Sequence, residues 1–183
     1  MNWFTTYLYI GFLCMVWLPM GCSQSTAQGP VPENIRVRNP EFNQKLTDLL
    51  RFDVPVVSVD SLYHHQDEYY LLDVRSPEEY KISHIQNARF INYDDPNWDP
   101  IINLPKDTPI VVYCSVGYRS EKFGNRLLQM GFTSVYNLYG SIFEWVNEGY
   151  PIVNLQQQET DKIHTYNKKW SKYIYNPDIN KTW

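Results

Sequence analysis

Between residues 40 and 153 short apolar runs alternate with amphipathic stretches. EFNQKLTDLLRF places Phe42, Leu46, Leu49 and Leu50 on one helical face, and DVPVVSVD after it reads as a short strand bounded by a turn. YYLLDV, ARFINY, PIVVYC and SVYNLY are four further strands. Helices are predicted between them. In SPEEYKISH, Ser76 is an N-cap, Pro77 takes the first helical position and Glu79 stands three residues after the cap, which makes a capping box. SEKFGNRLLQMG is closed by Gly131, and SIFEWVNEG carries a second capping box, Ser141 with Glu144, before Gly149 and Pro151. DDPNWDPIINLPKDT is an Asp- and Pro-rich loop. Continuous apolar strands separated by helices indicate an α/β domain with a mainly parallel sheet, whose ligand crevice lies beyond the carboxyl ends of the strands. Cys114 sits at one of those ends, and Asp73 and Arg75 at another.

The flanks differ from this core. The first charged residue is Glu33, and the segment before it is apolar from about Tyr7 to Leu18, a targeting segment outside the fold. Its end, LPMGC, resembles a bacterial lipobox, which implies lipidation of Cys22 and a lipid-anchored protein of the bacterial cell envelope facing the periplasm. A cleaved secretory signal or an uncleaved N-terminal anchor are the alternatives. The chain therefore divides into a signal peptide with its lipidation cysteine (1–22), a polar linker (23–39), the α/β domain (40–153) and a C-terminal extension (154–183). In the extension Ile163, Tyr166, Trp170 and Tyr173 recur at helical spacing, so it is expected to add a helix packed on the domain. The net charge of -4 gives no basic signature for nucleic acid.

Three cysteines become one in this division. Cys14 leaves with the signal and Cys22 carries lipid, so Cys114 is the single free thiol of the mature chain. Such a thiol is either a small buried hydrophobe or kept for its reactivity. Its surroundings, CSVGYRS, argue for reactivity. A strand-to-helix turn gathers backbone N–H groups around one point and favours negative charge there. Arg119 adds a cation, both effects lower the thiol pKa, and Gly117 admits a backbone geometry costly for other residues. Two chemistries use an anion-holding cup with a thiolate, phosphoryl transfer and sulfur transfer. Tyrosine-phosphatase-like enzymes carry a longer loop between Cys and Arg. The shorter SVGY suits one terminal sulfur atom better than a phosphate.

LLDVRSPEEYKISHI, PIVVYCSVGYRS and NLYGSIFEWVNEGYPI together resemble a single-domain rhodanese, in order and at sensible separations. The resemblance implies a five-stranded parallel sheet with helices on both faces and Cys114 as a persulfide-forming nucleophile. It implies that backbone amides from Ser115 through Val116, Gly117, Tyr118 and Arg119 to Ser120 hold the outer sulfur, with Arg119 and Tyr118 at the rim selecting an anionic donor. The implied activity is a sulfurtransferase taking sulfur from a donor such as thiosulfate to a thiol or other thiophilic acceptor, without cofactor or metal. A sulfur-carrying, sensing or partner-binding module with little turnover is the alternative. The chain departs from the family at Ser83-His84-Ile85, where Gly-His-Ile is usual, and at Gly140-Ser141, where Gly-Gly is usual.

Other residues read as structure. Asp73 and Arg75 tie a loop by an ion pair, Glu79 serves its capping box, His84 ends that helix, and Trp145 is core. A general base at His84 is not needed where the cup already supplies a thiolate. His64 to Glu68, HHQDE, lack a further ligand at telling spacing, so no metal is expected.

Overall fold

A computed structural model describes Gly29 and residues 33–183; the targeting segment with Cys14 and Cys22, and the linker before residue 33 apart from Gly29, lie outside the described residues. Five strands form the central sheet: β1 (Val56–Val57), β2 (Tyr70–Asp73), β3 (Arg89–Phe90), β4 (Ile110–Tyr113) and β5 (Val135–Leu138). They lie in the order β1-β5-β4-β2-β3 and every pairing is parallel. Around them pack α1 (Pro40–Leu49), α2 (Val59–His64), α3 (Pro77–Ile82), α4 (Tyr118–Gln129) and α5 (Ser141–Asn147). This is the α/β fold expected, a parallel five-stranded sheet with helices on both faces.

The central strand explains the layers. All of β4 is buried, and its side chains alternate between two cores. Val111 and Tyr113 pack with Phe42 and Leu46 of α1, Leu62 of α2 and Phe143 of α5, whereas Ile110, Val112 and Cys114 pack with Phe123 and Leu127 of α4. Full burial of such side chains is worth about 1.5–3 kcal/mol each. Register places Asp73 beside both Tyr113 and Phe90, so the carboxyl ends of β2, β3 and β4 are level.

Local signals behave differently at the two capping boxes. At α3 both bonds form: the Ser76 hydroxyl accepts from the Glu79 N–H at 3.3 Å and the Glu79 carboxylate accepts from the Ser76 N–H at 3.0 Å. At α5 the box does not form. Gly140 is the N-cap, in the left-handed region at φ 75°, where an added Cβ would meet Glu144 Cβ at 2.6 Å and Val37 Cγ1 at 2.8 Å. Ser141 is thus already inside the helix, and its hydroxyl serves the Cys114 N–H instead. Glu144 accepts from the Arg38 N–H at 2.8 Å. α4 begins at Tyr118, two residues earlier than its pattern predicts, which puts Arg119 in its first turn.

The C-terminal extension is not the helix its spacing predicts. β6 (Ile152–Val153) pairs antiparallel with β7 (Glu159–Thr160), and β8 (Lys162–His164) pairs parallel with β9 (Asn180–Thr182). Between β8 and β9 the chain turns at Tyr166, with φ 63°, and makes one 3-10 turn at Ser171–Tyr173. β-branched Ile163 and Thr165, then Asn167 and Asn176-Pro177, favour strand and turn over helix, and burial decides the outcome. Ile163 and Ile174 enter the core, and Tyr173 stacks on Phe42 with centroids 5.0 Å apart.

Candidate active site

Cys114 follows β4 directly and its loop is held from three sides. From α5, the Ser141 hydroxyl accepts from the Cys114 N–H at 3.2 Å, while the Ile142 and Phe143 N–H groups donate to the carbonyls of Cys114 and Ser115 at 3.3 and 3.2 Å. A helix leaves its first N–H groups without internal partners, and here they grip the loop. Ser141 sits at φ 52°, a backbone that costs a non-glycine residue roughly 1–2 kcal/mol. Its hydroxyl, which also donates to the Leu138 carbonyl at 3.2 Å, offsets that cost. From β5, Asn137 donates to the Gly117 carbonyl at 3.0 Å and accepts from the Ser120 hydroxyl at 2.7 Å.

The third support is Glu79. Its carboxylate takes both guanidinium arms of Arg119 at 2.7 Å and accepts from the Ser115 hydroxyl at 2.6 Å, while Arg119 also donates to that hydroxyl at 2.9 Å. One carboxylate therefore closes its own helix and pins the Cys114 loop to it, a role that the capping box alone does not announce. Burial opposes its ionisation, but Arg119, the charge of Arg75 and the Ser115 bond outweigh burial and hold the carboxyl at about 2. The Arg119 side chain is 17% exposed and its charge is paired, and Tyr166 covers it with the ring centroid 5.2 Å from the guanidinium carbon.

The sulfur itself meets few donors. Gly117, at φ 114°, donates its N–H to Cys114 Sγ at 3.2 Å. A Cβ there would find ordinary contacts at 3.6 Å, so backbone conformation, not space, calls for glycine. The Ser120 hydroxyl lies 3.5 Å from Sγ. One proton does not serve two acceptors fully, and the shorter bond goes to Asn137. Burial pushes the thiol pKa up, but the charge of Arg119 and the bonds from Ser120 and Gly117 bring it below its ordinary value. The thiol is thus more acidic than an ordinary cysteine although only 1% of the residue is exposed.

Cys114 nonetheless reaches a cleft of about 300 Å³, with Ser115, Val116 and Arg119 beside it. Tyr118 stands at this cleft, 44% exposed. Leu49, Tyr93, Asp94, Tyr166 and Trp170 also line it, and the sequence pattern marks none of them as a site residue. Tyr93 lies in a loop, and the helical spacing of Tyr166 and Trp170 points toward a core stripe; only the turn after β8 brings them here. Asp73, Arg75, Glu79 and His84 are absent from the lining.

Those residues brace it from behind. Arg75 is wholly buried and forks onto Asp73, its shortest bond 2.7 Å, while also donating to the Ser83 carbonyl. The Tyr113 hydroxyl accepts from the Ile85 N–H at 3.0 Å. His84 exchanges backbone bonds of 2.9 Å with Val153, stacks on Tyr80, and is kept below its ordinary pKa by burial despite the Tyr80 carbonyl at its Nδ1. His64 and His65 are exposed, beside Asp60 at 3.7 Å and Glu68 at 3.0 Å.

The family profile described as the rhodanese-like domain matches residues 58–148. A sulfurtransferase of Allochromatium vinosum is 35% identical over 89 residues, which cover 48% of this chain and 80% of that protein. A tRNA uridine(34) hydroxylase of Onion yellows phytoplasma is 41% identical over 80 residues, 41% of this chain and 26% of the relative, so the chain spans about a quarter of that relative's length. The solution structure of a rhodanese-like domain from Anabaena superposes with a TM-score of 0.52 at 24% identity, covering 58% of this chain and 83% of that one. That likeness concerns the fold.

Proposed function

The chain belongs to the rhodanese-like family, and on that premise we propose that it is a sulfurtransferase working through a persulfide on Cys114. The Cys114 thiolate attacks the outer sulfur of a donor such as thiosulfate; the S–S bond of the donor breaks, sulfite leaves with the electron pair, and Cys114 carries the extra sulfur. An acceptor thiolate then attacks that sulfur, takes it, and returns Cys114 as thiolate. The observation that carries this reading is a thiol held below its ordinary pKa at a cleft, with the Gly117 N–H on its sulfur and Arg119 nearby. Backbone N–H groups between Ser115 and Ser120 would support the outer sulfur as charge gathers on it. Arg119 lowers the thiol pKa, and its pairing with Glu79 moderates that effect and leaves less charge to attract an anionic donor.

Steady-state thiocyanate formation from thiosulfate and cyanide tests the activity. It is expected for the native chain and absent from Cys114→Ser; equal rates in the two would overturn the assignment. The leading segment supports a further part of the proposal, attachment to a bacterial envelope membrane through lipid on Cys22. Labelled fatty acid should enter the full chain and not Cys22→Ser, and labelling of both would contradict it.

A further inference from the structure

We propose that the C-terminal extension selects the sulfur acceptor, and that the acceptor is an organic thiol with a planar aromatic body. The inference rests on the sulfurtransferase reading above and names the substrate class of the same site. Its starting point is how the cleft is built. Cys114 lies among Tyr93, Tyr118, Tyr166 and Trp170, with Leu49 alongside. Four aromatic rings bordering one sulfur exceed what transfer of a single atom requires. At about 300 Å³ the cleft reaches the lower end of the sizes, roughly 300–1,000 Å³, that enclose organic ligands. Rings in such walls favour other flat π-systems by offset or edge-on contact.

Half of that aromatic wall comes from outside the matched family domain, which ends at residue 148. The segment that supplies it is anchored on both sides. Before Tyr166, β8 is paired with β9 and the Thr165 N–H donates to the Thr182 carbonyl at 2.7 Å. After Trp170, Tyr173 stacks on Phe42, its carbonyl accepts from Asn147 at 2.9 Å, and Asn176 donates to the Val146 carbonyl at 2.7 Å. Tyr166 is 56% exposed although it lies against Arg119, so packing of the core does not account for it.

Charged groups border these rings as well: Arg119 is bound to Glu79, Arg126 lies over Tyr93 at 4.8 Å, Lys45 over Trp170 at 6.0 Å and Lys122 over Tyr118 at 5.7 Å, and Asp94 lines the cleft. Between neutral thiols, shape and apolar surface therefore distinguish one from another at this wall more than charge does. In the step itself, the acceptor RS⁻ attacks the outer sulfur of the Cys114 persulfide, the Cys114 S–S bond breaks, an RS–S bond forms, and Cys114 leaves as thiolate. No oxidant or reductant is consumed. By microscopic reversibility the same wall receives the persulfide of such a thiol as donor.

The test uses the protein loaded with persulfide by thiosulfate and confirmed by mass, then mixed with benzyl mercaptan or with 2-mercaptoethanol, neutral thiols of similar acidity. Unloading of Cys114 is followed in a single turnover. The ratio of the two rates within one preparation cancels any loss of folded or loaded protein. The native chain should favour benzyl mercaptan by about tenfold. Tyr166→Ala and Trp170→Ala should bring the ratio toward one, and Trp170→Phe should keep it. Tyr166→Ala alters an exposed ring, so it reports even where Trp170→Ala unsettles the extension. Equal ratios in the native chain and both alanine variants, with loading intact, overturn the inference and leave the sulfurtransferase reading standing. Failure to load Cys114 overturns that parent reading, and this inference falls with it.

Discussion

Two segments meet at Cys114 and are held by different physics. The loop from Cys114 to Ser120 is fixed by polar bonds from three elements, with a buried carboxylate, Glu79, at their centre. The segment carrying Tyr166 and Trp170 is fixed at its ends by packing and backbone bonds, leaving its two rings at the cleft. On the proposed function, reactivity and selection are thereby separated. Changes in the first segment disturb stability and the thiol together, whereas changes in the second leave the bonds around Cys114 in place.

Glu79→Gln should give the largest effect. Breaking a buried ion pair by removing one partner costs about 3–5 kcal/mol. Arg119, relieved of its counter-charge, should also lower the thiol pKa further, so the midpoint of Cys114 alkylation against pH should fall. A stable variant with an unmoved or raised midpoint would break the comparison. Acid sharpens it. The folded pKa of Glu79, about 2, lies below its ordinary 4.5, so its contribution is whole above about pH 4.5 and is lost as pH falls toward 2. Urea unfolding across that window should show the native chain losing up to about 3 kcal/mol from this group, and Glu79→Gln lacking that loss.

Ser141→Ala keeps the left-handed backbone but removes the acceptor of the buried Cys114 N–H. It should cost about 1–3 kcal/mol in denaturant unfolding, and no change would mean that another group takes the bond. Lys172→Ala is the smallest change. It deletes an exposed pair with Glu41 at 2.6 Å that clips the C-terminal extension to α1, and the melting temperature should not move measurably. A clear drop would show the extension to be held by surface charge, contrary to the packing account.

The sheet was legible because buried parallel strands are continuous apolar runs, and α3 begins with a local capping box. Cys114, Gly117 and Arg119 were legible for a related reason: thiol, turn and cation lie within one short stretch. Contacts distant in sequence were not. Glu79 looks complete as a cap, and nothing local to it announces Arg119, 40 residues away. Ser141 fits a capping box in sequence, yet Gly140 takes the cap and frees the hydroxyl for Cys114. Tyr166 and Trp170 keep helical spacing by coincidence. Their segment satisfies its backbone through β9 and Asn147 instead, and only tertiary packing reveals where the rings go.

The most direct measurement is the intact mass of a soluble form beginning after Cys22, before and after thiosulfate, beside Cys114→Ser. The account predicts a gain of one sulfur atom on the native chain, removed by reductant or cyanide and absent from the variant; removal distinguishes it from sulfinic acid, which adds nearly the same mass. No gain, with Cys114 still open to an alkylating probe, would contradict persulfide chemistry at this cleft.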